Sequence, residues 1–275
     1  MSSSPAPSSP PTPTRYASAP ARRTLGEFSR DLWKAHAAFL IVAGLLLFAI
    51  GTLTVMFHEV YEDVTDGGGI AAIDHPVMEA ALAIRFDLLT GLMQAVSWAG
   101  GKLGGTVVAV VLLALLCLAR RDAVPVALMP AAMLGSVLIT GMGKSSVGRV
   151  RPGHELALPP FESSPSFPSG HTLNATVLVG IVLYLVAIAP SLRIRGSHAR
   201  AVRWATAAAV AWAVLMGLSR VYLGAHWLTD VMAGWLVGVG WVLGIVLAHR
   251  AWLAVRRRPS VGSGPGTRVP STPAG

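Results

Sequence analysis

Residues 37–57 read AAFLIVAGLLLFAIGTLTVMF, 21 positions without a charge. About 20 apolar residues in a helix cover the hydrocarbon core of a bilayer, whereas the helix of a water-soluble domain needs only one apolar face. Five more blocks of the same character lie outward from this one, at about 104–119, 123–143, 171–190, 201–219 and 227–249. Each predicts a further crossing, so the expected fold class is all-α, a polytopic membrane protein with six transmembrane helices. The composition agrees: of 275 residues, 53% are hydrophobic and 13% charged, about half the charged share of a soluble domain, which argues against a water-soluble globular fold. Residues 76–99 are helical in pattern but carry Glu79, Arg85 and Asp87, which places them at the interface rather than across it.

The Ser-, Pro- and Ala-rich beginning and end lack the apolar surface to order themselves. The expected organisation is a disordered cytoplasmic tail over 1–35, a six-helix membrane domain over 36–250, and a basic, disordered cytoplasmic tail over 251–275. The first apolar run starts only after His36, too late for a secretory signal, so the leading tail is expected to stay on the protein. Cys117 is the single cysteine, which leaves no disulfide framework within one chain. A net charge of +9 suggests nucleic acid in a soluble protein; here it reads as loop charge, and no nucleic-acid partner is expected. With the amino terminus in the cytoplasm, 16 of the 22 basic residues fall inside and ten of the 13 acids outside, as the positive-inside rule requires. Segments 58–103, 144–170 and 220–226 then face outward from the cell membrane.

Those outward segments hold an unusual set of groups. Lys144 ends the third span, with Arg151 and Pro152 soon after. Pro168, Ser169, Gly170 and His171 lead into the fourth, Ser219 and Arg220 end the fifth, and His226 and Asp230 open the sixth. Ionisable groups at membrane depth are costly and point to function. Three cations and two histidines at adjacent helix mouths make an anion site. Ser169 and Gly170 sit where backbone N–H groups and the helix dipole face outward. Arg151 and Arg220 offer planar forks suited to phosphate oxygens, and Lys144 a point charge. His226 and Asp230 are four residues apart, on one face if the helix has begun. The carboxylate then accepts a hydrogen bond from Nδ1–H, fixing the tautomer that leaves Nε2 free to attack, while His171 protonates a departing alcohol.

The spacings Lys144-SSVGRV-Arg151-Pro152, Pro168-Ser169-Gly170-His171 and Ser219-Arg220-VYLGA-His226-WLT-Asp230 resemble the three motifs of the type 2 phosphatidic acid phosphatase (PAP2) superfamily, in its membrane-bound lipid phosphatase branch. No motif position departs from the pattern, and the resemblance covers about 104–249. It implies a phosphatase acting on a lipid phosphate or diphosphate, such as an isoprenyl diphosphate, phosphatidic acid or phosphatidylglycerol phosphate. In that scheme His226 is the nucleophile and forms a phosphohistidine, Asp230 orients it, and His171 is general acid and then base. Lys144, Arg151, Ser169, Gly170 and Arg220 hold the phosphate. No cofactor and no metal are expected, the cations taking over the electrostatic work.

Singly, each group has a plainer reading. Lys144 and Arg151 suit interfacial snorkelling, His226 with Asp230 a structural pair, and PSGH an ordinary helix start. His154 is expected at the entrance or in solvent, and Asp63, Asp66 and Asp74 have no ligand spacing for a cation. The competing activities are transfer of the phosphoryl group to an alcohol; a vanadate-dependent haloperoxidase sharing the motifs, which six spans argue against; and lipid or anion transport, which would not need His171, His226 and Asp230 together.

Overall fold

The computed structural model describes residues 25–189 and 197–256. Helices are α1 Leu25–Asp66, α2 Asp74–Ala83, α3 Asp87–Gly100, α4 Lys102–Arg120, α5 Val124–Val147, α6 Gly170–Ala187, α7 Ser197–Tyr222 and α8 Leu228–Arg256, with a 3-10 turn at Gly69–Ile73. No strand occurs among the described residues. Six helices are long and apolar enough to cross a membrane: Ala37–Asp66 within α1, α4, α5, α6, Arg200–Tyr222 within α7, and α8. These are the six expected spans. The expected tails lie outside the described residues except for 25–35 and 251–256, which are helical and move those two boundaries outward.

The first span also continues past its expected end at 57. Residues 58–66 are polar, yet Val60 and Val64 keep an inward stripe that packs on Phe167, together with Phe57 and Tyr61. The chain then reverses through Gly67 and Gly69, both at positive φ, a conformation open to glycine. Asp63 closes the reversal by accepting the Ile70 N–H at 2.7 Å. Helices α2 and α3, of ten and 14 residues, are too short to cross. Arg85 between them donates to the Tyr222 and Leu156 carbonyls and so ties this segment to the end of α7.

Helix α6 is the centre of the bundle and is buried on several faces, through Thr172, Leu173, Val177, Leu178, Ile181 and Leu185. An apolar helix buried in this way carries no amphipathic stripe. Its contact with α8 runs through Gly234 and Gly238: a Cβ on Gly234 would lie 3.0 Å from the Ser169 carbonyl, and one on Gly238 2.9 Å from Thr176. Small residues four apart let two membrane helices approach closely. At the opposite face Arg121, at φ 56, ends α4. There Arg120 bonds both Asp122 and the Leu185 carbonyl, and Pro125 starts α5, where a missing N–H costs nothing. Successive crossings bring the end of α5, the start of α6, the end of α7 and the start of α8 to one face.

Candidate active site

The loop from Gly148 to Ser169 folds across that face and supplies most of the acceptors. Lys144 Nζ donates to the Pro165 carbonyl. Arg151 donates through Nε to the Ser164 carbonyl at 2.7 Å and through Nη1 to the Ala225 carbonyl at 2.5 Å. Its Nη2 meets Glu162 Oε2 at 2.8 Å. Arg220 donates to Ser97 Oγ and to Glu162 Oε1, and His171 Nδ1 lies 3.8 Å from that same oxygen. Lys144, Arg151, Arg220 and His171 therefore do converge, around a carboxylate no motif contains. Burial alone would raise the Glu162 carboxyl, but Arg220, His171 and Arg151 hold it at about 2, well below its ordinary range. Arg220 is 3% exposed, and its Nε is the buried side-chain polar atom left without an acceptor among the described residues.

His226 stands beside this cradle, 1% exposed. A turn sets it there: the Ala225 and His226 N–H groups both bond the Arg220 carbonyl, and Gly224 takes φ +68 against the Leu156 backbone. Arg151 Nη1 lies 3.0 Å from His226 Nε2. Arginine only donates, so Nε2 presents its lone pair and the ring proton sits on Nδ1. Nδ1 faces Ser166 Oγ at 3.3 Å and Asp230 Oδ2 at 3.4 Å. Burial, reinforced by Arg220 and Arg151 and opposed by Asp230, lowers the His226 pKa to about 4, so the ring is neutral at physiological pH.

The expectation that His226 and Asp230 share a helix face depended on the helix having begun; α8 begins at Leu228, two residues after His226. Asp230 reaches back instead, accepting the Trp227 N–H at 2.9 Å, which resembles half of a capping box. Ser169 caps α6, its own N–H taken by the Asp230 carbonyl at 3.0 Å and its hydroxyl oxygen accepting from Thr172 at 2.9 Å. The first intrahelical bond runs from the Leu173 N–H to the Ser169 carbonyl, so the amides of Gly170, His171 and Thr172 precede the hydrogen-bond ladder at this helix start.

Sequence reasoning missed four groups here: Glu162, Ser166, Ser97 and Arg149. Arg149 bonds Asp230 Oδ1 and Asp74 Oδ2, each at 2.7 Å, so Asp74 is an ion-pair partner rather than a cation ligand. The signal for Arg149 was its position, two residues before Arg151 in a segment with few acids; nothing local marks Glu162. His154 lines a small recess with Arg151, Pro152 and Glu162 and packs edge-on against Phe161. Among the described residues no three His, Cys, Asp or Glu side chains gather as a metal site.

A larger cavity of about 420 Å³ adjoins the cradle, walled by α4, α5 and α6 residues including Leu113, Met133, Leu134 and Val137. It begins at Gly100, Gly101 and Lys102, and a Cβ on Gly101 would lie 3.4 Å from His171 Nε2.

The family model described as PAP2 superfamily matches residues 125–254. Phosphatidylglycerophosphatase B of Bacillus subtilis is 38% identical over 102 residues, 37% of this chain and 47% of that protein. Undecaprenyl-diphosphatase of Sulfolobus acidocaldarius is 36% identical over 85 residues, 31% of this chain and 34% of that protein. The match thus spans about half of the first relative's length and a third of the second's. The crystal structure of a transmembrane PAP2 type phosphatidylglycerolphosphate phosphatase from Bacillus subtilis superposes with a TM-score of 0.64 at 26% identity, covering 77% of this chain and all of that one.

Proposed function

We propose that this chain is a PAP2-type multi-pass membrane phosphatase that hydrolyses a lipid phosphate or diphosphate through a phosphohistidine on His226, a reading supported by the PAP2 superfamily model that matches residues 125–254. The observation that carries this reading is the unpaired, buried Arg220 Nε in a cradle of three cations beside a neutral histidine. A buried donor without an acceptor costs about 1–3 kcal/mol, and a phosphate oxygen removes that cost. Phosphate displaces Glu162, and the Arg151 guanidinium turns from His226 Nε2 to the phosphate oxygens. His226 Nε2 attacks phosphorus, the bond from phosphorus to the lipid oxygen breaks, and His171 gives that oxygen its proton. Water then loses a proton to His171 and attacks the phosphohistidine, releasing inorganic phosphate and His226. Asp230 and Ser166 face the Nδ1 proton through both steps. Lys144, Arg151, Arg220 and the Gly170 amide hold charge as it develops, with Ser169 donating its free hydroxyl proton, so no metal is required.

His171 Nε2 lies against Gly101, which lines the α4–α5–α6 cavity, and this proximity supports placing the leaving lipid there with its tail between apolar walls. Phosphatidylglycerol phosphate and isoprenyl diphosphate are the substrate classes that the names of the relatives favour. Charge asymmetry favours an extracytoplasmic site in the cell membrane with both termini in the cytoplasm. The test is phosphate release from a panel of lipid phosphates by the purified protein in detergent with EDTA, beside His226→Ala. Release that survives EDTA and vanishes in the variant is the expected result. No release, or equal release by the variant, would overturn the proposal.

A further inference from the structure

Asp230 turns one carboxylate oxygen toward the nucleophile and the other away from it. Oδ2 takes the Trp227 N–H and the Ser166 hydroxyl and faces His226 Nδ1. Oδ1 takes Arg149 Nη1 at 2.7 Å. The same Nη1 reaches Thr229 Oγ1 at 2.8 Å, while Nη2 reaches Asp74 Oδ2 at 2.7 Å. Asp74, the first residue of α2, also accepts the Thr229 N–H at 2.9 Å and its hydroxyl at 2.6 Å. Asp74, Thr229 and Asp230 are all at most 2% exposed.

We infer that Arg149 is a positioning residue for the reaction: bridging Asp74 and Asp230, it fixes the plane of the Asp230 carboxylate so that Oδ2 faces His226, and Asp74 is the anchor that keeps it there. Two lines of argument support this. A carboxylate held at one oxygen by a planar guanidinium, itself pinned by a second carboxylate, has lost its rotational freedom. The same guanidinium also bonds Thr229 Oγ1, and Thr229 in turn donates to Asp74, so the bridge is held from a third side. Arg149 bonds Asp230, Thr229 and Asp74 rather than Glu162, so it stands apart from the cations gathered around that carboxylate. This inference rests on His226 being the nucleophile of the proposed function.

The groups that bear on Asp230 are Arg149 with Asp74 behind it, His226, and Lys144 and Arg151 across the site, with Glu162, Arg220 and His171 beyond them. Removing Arg149 takes away the cation nearest to Oδ1. With that positive charge gone from behind the site, His226 takes up its proton at higher pH, and the acid limb of the activity profile moves upward. A misplacement of about 1 Å in such a group costs about 100-fold in rate, while the phosphate cradle is untouched.

The experiment measures kcat, KM, the pH profile of kcat/KM, inhibition by inorganic phosphate and thermal unfolding for wild type, Arg149→Met, Arg149→Lys and Asp74→Asn. For Arg149→Met the expected result is kcat down about 100-fold, KM and phosphate inhibition within about twofold, and the acid limb up by about one pH unit. Arg149→Lys, which keeps the charge, regains about tenfold of that loss. Asp74→Asn costs about tenfold in kcat and adds nothing in the Arg149→Met background, because it acts through the same guanidinium. Unchanged kcat in Arg149→Met, or a lowered unfolding temperature with the acid limb unmoved, would overturn the inference and leave Arg149 as an anchor of α8. Should Arg149→Met not fold, Asp74→Asn decides alone, and unchanged kcat in that variant overturns the inference equally. A wild type without phosphate release sinks the proposed function; an active wild type with an unaffected Arg149→Met sinks only the positioning role.

Discussion

In front of His226, Lys144, Arg151 and Arg220 gather around a single carboxylate, Glu162, and one guanidinium nitrogen has no acceptor among the described residues. Behind it the proportions reverse: one guanidinium, Arg149, stands between Asp74 and Asp230, and both carboxylates are bonded at each oxygen. The front is half-open, with Glu162 28% exposed and His171 20%, whereas Asp74 and Asp230 are at most 2% exposed. Under the proposed function, the cluster that would exchange one anion for another is short of acceptors, and the cluster that would hold still is saturated. Low dielectric sharpens both tendencies, since an unpaired group there is costly and a satisfied network is rigid.

The largest expected break in this contrast is Arg220→Gln, which removes the unpaired donor and its charge. Phosphate release should fall about 100- to 1000-fold in kcat, the usual cost of losing one preorganised donor to developing charge; a loss under about tenfold would make Arg220 merely the partner of Ser97 and Glu162. A smaller effect of opposite sign is expected from Glu162→Gln. Glu162 competes with phosphate for the same cations, so inorganic phosphate should inhibit the variant about tenfold more tightly, the equivalent of one charged hydrogen bond. Weaker inhibition would mean that Glu162 arranges the cations rather than competing with the ligand.

The smallest effect is on stability against pH. The His226 pKa is lowered from 6.5 to about 4 and that of Glu162 from 4.5 to about 2. Both groups contribute in full above their ordinary pKa, and that contribution is lost as pH falls toward the folded value. The unfolding temperature in detergent should therefore be level above about pH 6.5, decline toward pH 4 through His226, and decline again toward pH 2 through Glu162. His226→Gln should shrink the first decline and keep the second; an unchanged upper decline in that variant would refute the assignment.

The six spans and the three motif segments were legible because each is local: an apolar run or a fixed spacing within 12 residues. The remainder of the site was not. Glu162 meets Arg220 across 58 positions, Arg149 meets Asp74 across 75, and Asp74 meets Thr229 across 155. None of these pairings has a periodicity, since each depends on how the 148–169 loop and α2 lie over the helix mouths. Two signals were there to be read. Gly234 and Gly238 stand four apart in an apolar helix, which marks close packing against a neighbour. An arginine at the membrane edge also requires an acid somewhere in the chain, and Arg149 had none nearby in sequence. The end of α1 was hidden by its polar residues, because Val60 and Val64 form too thin a stripe to announce a buried face.

The cavity beside His171 has a kinetic consequence. Its lining residues Val110, Leu134 and Val137 are exposed on the outer surface of the bundle, so under the proposed function it opens sideways, toward the acyl chains, rather than upward to water. A ligand arriving by that route is concentrated in two dimensions. Its effective concentration is its mole fraction among the surrounding lipids, and diluting the membrane with inert lipid should slow turnover even when the bulk amount of substrate is unchanged.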